Sequence, residues 1–144
     1  MLFRSFMRLQ RNFGTAILID CHSMPSTTGG RDERPRADLV LGDRYGTSCV
    51  GAVAEITEQC MRGFGYSVSR NKPYAGGFIT EHYGNPTTGL HAIQLEINRA
   101  LYMDERKYEP IPSFSRLATD LDTLADRLAA IPMEELRPYR AAAE

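Results

Sequence analysis

Residues 15–20, Thr-Ala-Ile-Leu-Ile-Asp, form an unbroken β-prone apolar run that ends on an acid and leads into Cys21-His22-Ser23 before Pro25 breaks it. A run that is apolar at successive rather than alternate positions suits a strand covered on both faces. It predicts a central strand of an α/β sheet. Asp20, His22 and Ser23 would then be delivered to the carboxyl edge of that sheet, where such folds place their sites.

The remaining elements alternate in type. Leu2, Phe3, Phe6, Met7 and Leu9 sit at near-helical spacing and predict an amphipathic first helix. Asp38–Asp43 reads as a second strand. Thr47 or Ser48 can cap a helix running to about Phe64, with Gly63 and Gly65 ending it. Tyr66–Arg70 alternates apolar and polar residues as a third strand, and the turn-rich Asn71–Gly77 follows.

In His91–Asn98 the two-residue period puts Ile93, Leu95 and Ile97 on one face of a fourth strand. Gln94, Glu96 and Asn98 fall on the other. A last helix opens at Ser113 or Ser115, carries Phe114, Leu117, Leu121, Leu124 and Leu128 on one side, and stops at Ile131-Pro132. Strands alternating with helices predict a three-layer α/β/α arrangement in a single domain over residues 1–144. Residues 23–37, with two prolines, a Gly-Gly pair and dense charge, are expected to form a long loop.

Composition narrows the function. A net charge of -1 lacks the concentrated basic footprint of a nucleic-acid binder. No apolar run reaches the roughly 18 residues that a membrane span needs. Cys21, Cys49 and Cys60 are odd in number and without paired spacing, which fits buried thiols in a reducing compartment, the cytoplasm by default.

Three groups carry candidate chemistry. His22, with Asp20 beside it to orient the ring, has the make-up of a metal ligand and equally that of a structural histidine. Glu96, set among Ile93, Leu95 and Ile97, suits a general base or a buried ion pair with Arg70 or Arg99. Arg70, Asn71, Tyr74, Gly76 and Gly77 combine a carboxylate-binding guanidinium, directional hydrogen bonds and close backbone approach, although a plain turn uses the same residue types. His82 and His91 read as structural.

Taken together, DCHSMPS (20–26), ADLVLGDRYG (37–46), NKPYAGGFITEHYG (71–84) and HAIQLEINRALYMDE (91–105) closely resemble the N-formylglutamate amidohydrolase (deformylase) family. The blocks follow family order and cover residues 15–105. The resemblance implies a fold related to the zinc carboxypeptidases and a mixed sheet. It also implies zinc-dependent hydrolysis of a formyl amide: N-formyl-L-glutamate and water would give formate and L-glutamate, in histidine degradation. By that resemblance His22 is a zinc ligand and Glu96 the general base. Arg70, Asn71, Tyr74, Gly76 and Gly77 shape the substrate pocket, and Arg99 meets a substrate carboxylate or holds Glu96.

The resemblance further implies an N-terminal half carrying the first histidine ligand and an acidic ligand. From this sequence the expectation is a truncated domain with an incomplete zinc site, inactive by itself and prone to self-association into a homo-oligomer. Two alternatives stand beside it. One is a degenerate, non-catalytic member kept as a binding or interaction module. The other is a different N-acyl amino acid amidohydrolase that recruits ligands such as His82 or His91.

Overall fold

The computed structural model describes residues 2–28 and 35–137. Residues 29–34 of the expected charged loop, and the side chains of Leu2 and Phe3, lie outside the described residues. The order of elements is α1 (Leu2–Phe13), β1 (Ala16–Met24), β2 (Leu39–Gly42), α2 (Gly51–Gly63), β3 (Val68–Arg70), α3 (Phe78–Tyr83), β4 (Leu90–Asn98), β5 (Met103–Asp104), β6 (Glu109–Pro110), α4 (Phe114–Ala129) and α5 (Met133–Leu136). Among the described residues no helix is long and apolar enough to cross a membrane.

Four strands form a mixed sheet in the order β1-β4-β2-β3. β1 runs parallel to β4, β2 antiparallel to β4, and β3 parallel to β2. The fold is therefore α/β with a mixed sheet. β4 is the interior strand that organises it, with every residue from His91 to Asn98 buried. Its alternation works as expected. Ile93, Leu95 and Ile97 join Leu39 and Leu41 of β2 in the core, against Val53, Ala54 and Met61 of α2 and Leu117, Leu124 and Leu128 of α4. In α2 the buried positions Val53, Ala54, Thr57, Cys60 and Met61 follow a helical period, so a single stripe faces the sheet. The opposite face carries α3 and the loop before it.

Several expectations are corrected. β1 is an edge strand among the described residues, not a central one: it pairs with β4 alone and Ile17–Asp20 are only half-buried. Its apolar run instead borders a groove of about 570 Å³ lined by Leu9, Phe13, Ile17, Leu128 and Met133, among others. β1 also continues to Met24, shortening the expected loop.

α2 begins at Gly51 after Val50 with no side-chain cap, because the two hydroxyls are used elsewhere. Thr47 Oγ1 donates to the Arg44 carbonyl and Ser48 Oγ to the Ala92 carbonyl. Ser113 likewise donates to the Leu101 carbonyl rather than capping α4. Cys21 is exposed while Cys49 and Cys60 are buried, and none is in a disulfide.

Candidate functional site

The polar face of β4 sets out the site. In the sheet register Glu96 lies beside His22 of β1 and Val40 of β2, and Gln94 lies beside Asp20 and Gly42. Residues paired across neighbouring strands point to the same side, so Asp20, His22, Gln94 and Glu96 share one face, opposite the apolar core.

His22 Nε2 donates to Asp20 Oδ2 at 3.0 Å. An ionised carboxylate can only accept, so this bond puts a ring proton on Nε2. Nδ1 lies 3.6 Å from Glu96 Oε1. The His22 side chain is 47% exposed and that of Glu96 10%, so a solvent-facing imidazole stands over a sunken carboxylate. Glu96 Oε1 accepts from Gln94 Nε2 at 2.7 Å, and Gln94 Oε1 accepts from the Gly77 N–H at 2.8 Å.

Gly77 reaches that position because the loop 71–77 lies directly on the end of β2. A Cβ at Gly42 would meet the backbone of Ala75 and Gly76, so only glycine permits the approach. Gly76 adopts φ +107°, and a side chain there would meet Thr80.

Arg70 and Asn71 are drawn to a different partner. Arg70 pairs with Leu41 in the sheet and so falls on the face opposite Glu96. Its Nη2 donates to Asp43 Oδ2 at 2.6 Å. Asn71 Nδ2 donates to Asp43 Oδ1 at 2.7 Å, while Asn71 Oδ1 accepts from the Asp43 N–H. Burial alone would raise the Asp43 pKa. The hydrogen bonds from Arg70, Asn71 and the Gly46 amide, with the charge of Arg70, outweigh it and hold the carboxyl below its ordinary value. The guanidinium of Arg70 is correspondingly held above its own.

The remaining candidates lie around the polar face and its edge. Tyr74 carries Arg36 on its ring, with 5.5 Å from the guanidinium carbon to the ring centroid, and its hydroxyl accepts from Arg36 Nη1 at 2.7 Å. Arg99 Nε lies 3.5 Å from Ser23 Oγ. His82 is stacked on Phe78 and edge-on to Tyr83. His91 is fully buried, with Nε2 2.8 Å from the Leu136 carbonyl and Nδ1 facing the Val50 N–H. Burial lowers its pKa, opposed by the bond to Leu136.

The structure thus brings His22 and Glu96 together. It groups Arg70 with Asn71, and it ties Gly77 to the Glu96 side of the sheet. Three participants escape the sequence reading: Asp43, Arg36 and Gln94. Of these only Gln94 had a signal, its position two residues before Glu96 on the same face.

The sequence profile of the N-formylglutamate amidohydrolase family matches residues 1–103. The chain belongs to this family. It is 39% identical over 105 residues to the N-formylglutamate deformylase of Pseudomonas putida, an alignment spanning 72% of this chain and 39% of that protein. It is 41% identical over 100 residues to the N-formylglutamate deformylase of Pseudomonas aeruginosa, spanning 69% of this chain and 38% of that protein. The crystal structure of N-formylglutamate amidohydrolase from Ralstonia eutropha superimposes with a TM-score of 0.78 at 36% identity, covering 85% of this chain and 45% of that one. A gene product of Agrobacterium tumefaciens shares the fold, with a TM-score of 0.57 at 17% identity over 88% of this chain and 47% of that one. The chain therefore spans about two-fifths of the length of the Pseudomonas enzymes it matches.

A zinc ion, which the family resemblance implies, can be weighed against the donors present. A metal-bound imidazole gives its other N–H to a carboxylate or carbonyl. His22 meets that requirement, with Nε2 committed to Asp20 and Nδ1 turned towards Glu96. Among the described residues, however, no group of three or more histidine, cysteine or acidic side chains is placed to hold a metal. His22 fits as one ligand, and the described residues do not complete the set.

Proposed function

We propose that this chain carries the general base, one metal ligand and part of the substrate pocket of a hydrolase that cleaves the formyl amide of an N-formyl amino acid, N-formyl-L-glutamate above all. The observation that carries the reading is Glu96 on the interior strand, facing His22 across one strand pairing, in a chain of this family. The substrate is a small anionic amide. The three unpaired cysteines suit a reducing cytoplasm.

Glu96 takes a proton from the attacking water as the water oxygen bonds to the formyl carbon. It returns that proton to the amide nitrogen as the carbon–nitrogen bond breaks. Formate keeps the water oxygen and the second water proton also passes to the departing nitrogen, so glutamate leaves in its ammonium form and atoms and charge balance. A zinc ion, with His22 Nδ1 among its ligands and the others drawn from outside the described residues, would polarise the formyl oxygen and acidify the water when bound.

Tyr74 with Arg36 upon it, Arg99, and the Gly76-Gly77 backbone face the substrate and orient its carboxylates. Orientation of this kind lowers the entropic part of the barrier. Arg70 and Asn71 act through Asp43, which holds the loop 71–77 that shapes the pocket.

Formate released from N-formyl-L-glutamate, followed by proton NMR with and without added zinc, tests the reading in a protein that carries this chain together with the remaining metal ligands. The expected result is zinc-dependent formate release that N-acetyl-L-glutamate does not match with acetate. A protein that binds zinc yet releases formate from no N-formyl amino acid would contradict it.

A further inference from the structure

Gln94 is almost fully buried, at 4% exposure, two residues before the site's own carboxylate on the same face of β4. A buried primary amide must satisfy both its ends, and which end meets which partner decides what it can do. Here the assignment is forced by the partners. The Gly77 N–H can only donate, so it takes Gln94 Oε1, at 2.8 Å. That turns the NH2 group towards Glu96, whose Oε1 accepts from Nε2 at 2.7 Å. The amide cannot flip without setting a carbonyl oxygen against a carboxylate and an NH2 against an N–H.

The Gly77 amide is itself held in place, because the backbone of Ala75 and Gly76 lies on Gly42 at the end of β2, with no room for a Cβ between them. We infer that Gln94 is a positioning residue. It fixes the Glu96 carboxylate towards Nδ1 of His22 and ties that carboxylate to the 71–77 loop. This inference rests on Glu96 being the general base, as proposed above, and adds to it the group that aims it. The consequence is a mechanical link between the seat of the 71–77 loop on Gly42 and the aim of the base.

Two variants separate the two ends of the amide. In Gln94→Glu, a carboxylate still accepts from the Gly77 N–H but meets Glu96 as a second carboxyl group, so the amide donor is replaced by a shared proton or a like charge. In Gln94→Met, both bonds are lost at similar volume. Steady-state formate release and the hydrogen-exchange rate of the Gly77 amide are measured for each, with circular dichroism to check folding.

For Gln94→Glu the expected result is a kcat lower by about 10- to 100-fold, the range seen when an orienting partner is removed. Its KM should stay within twofold, with Gly77 still protected from exchange. For Gln94→Met, kcat falls as far, KM rises and Gly77 protection is lost. A purely structural glutamine would give the same kcat in folded Gln94→Met as in the wild type, and that result overturns the inference while leaving Glu96 as the base. A wild-type protein that binds zinc yet releases no formate overturns the proposed function and the positioning role with it, so the two failures are distinct.

Discussion

Replacing Asp43 by alanine is the perturbation that bears most directly on how the fold supports the site. Asp43 is 1% exposed, and its carboxylate accepts from Arg70 Nη2 at 2.6 Å, Asn71 Nδ2 at 2.7 Å and the Gly46 amide at 3.1 Å. Removing one partner of a buried ion pair costs about 3–5 kcal/mol, because the other charge stays behind unpaired. Arg70 softens that cost, since its side chain is 34% exposed and keeps Glu58 at 3.9 Å. The low end of the range applies, about 3 kcal/mol. For a domain of this size that lowers Tm by about 10 °C.

Asp43→Asn keeps an acceptor oxygen and loses only the charge, so it should fall about midway between wild type and Asp43→Ala. The pH dependence carries a sign. The pKa of Asp43 is lower in the folded chain than in the unfolded one, so its stabilisation is complete above the ordinary carboxylate pKa of about 4. It fades as pH falls through the folded value. Thermal melts of wild type and both variants, followed by circular dichroism from pH 7 into the acid range, are the assay. An Asp43→Ala protein that melts within about 2 °C of the wild type at pH 7, or a gap that does not narrow towards acid pH, would refute the reasoning.

Further outcomes follow from the same structure. His91 is held neutral between Val50 and Leu136 and its pKa is lowered by burial, so the unfolded chain binds a proton that the folded chain refuses. Its contribution is intact above about pH 6.5 and is lost as pH falls below that. His91→Gln should flatten the stability-versus-pH curve below about pH 6.5 in urea titrations. Gly42→Ala places a methyl group against the Ala75-Gly76 backbone and should cost about 1–3 kcal/mol while speeding exchange of the Gly77 amide. Leu124→Ala, at a fully buried position between α4 and the sheet, should cost about 2–5 kcal/mol in the same titrations without changing substrate affinity.

Much of the fold was legible because period and burial agree. The two faces of β4 follow from HAIQLEIN alone, and the stripe of α4 follows from its leucines. Strand order was not legible. The apolar run of β1 satisfies the pattern of a central strand, yet its lateral neighbours depend on pairings that no local pattern records. Helix starts were misjudged where a hydroxyl had a better tertiary acceptor, as Ser48 has in the Ala92 carbonyl. α3 was missed because FITEHY is too short to display a helical period and follows two glycines.

The site divides in the same way. Asp20, His22 and Glu96 stand out by type and position, and the register places His22 and Glu96 side by side. The partner that engages Arg70 could not be read, since Asp43 lies 27 residues away and is brought near only by the pairing of β2 with β3. Arg36 was absorbed into a loop that looked merely charged, and its stacking on Tyr74 depends on where two loops meet.

The central claim is that Glu96 moves the proton in formyl amide hydrolysis. Glu96→Gln keeps the volume and the acceptor for Gln94 Nε2 but cannot take a proton from water. The account expects kcat for formate release from N-formyl-L-glutamate to fall by about 10²- to 10⁴-fold, with an unchanged circular dichroism spectrum and little change in KM. A folded Glu96→Gln protein that releases formate at the wild-type rate would contradict it.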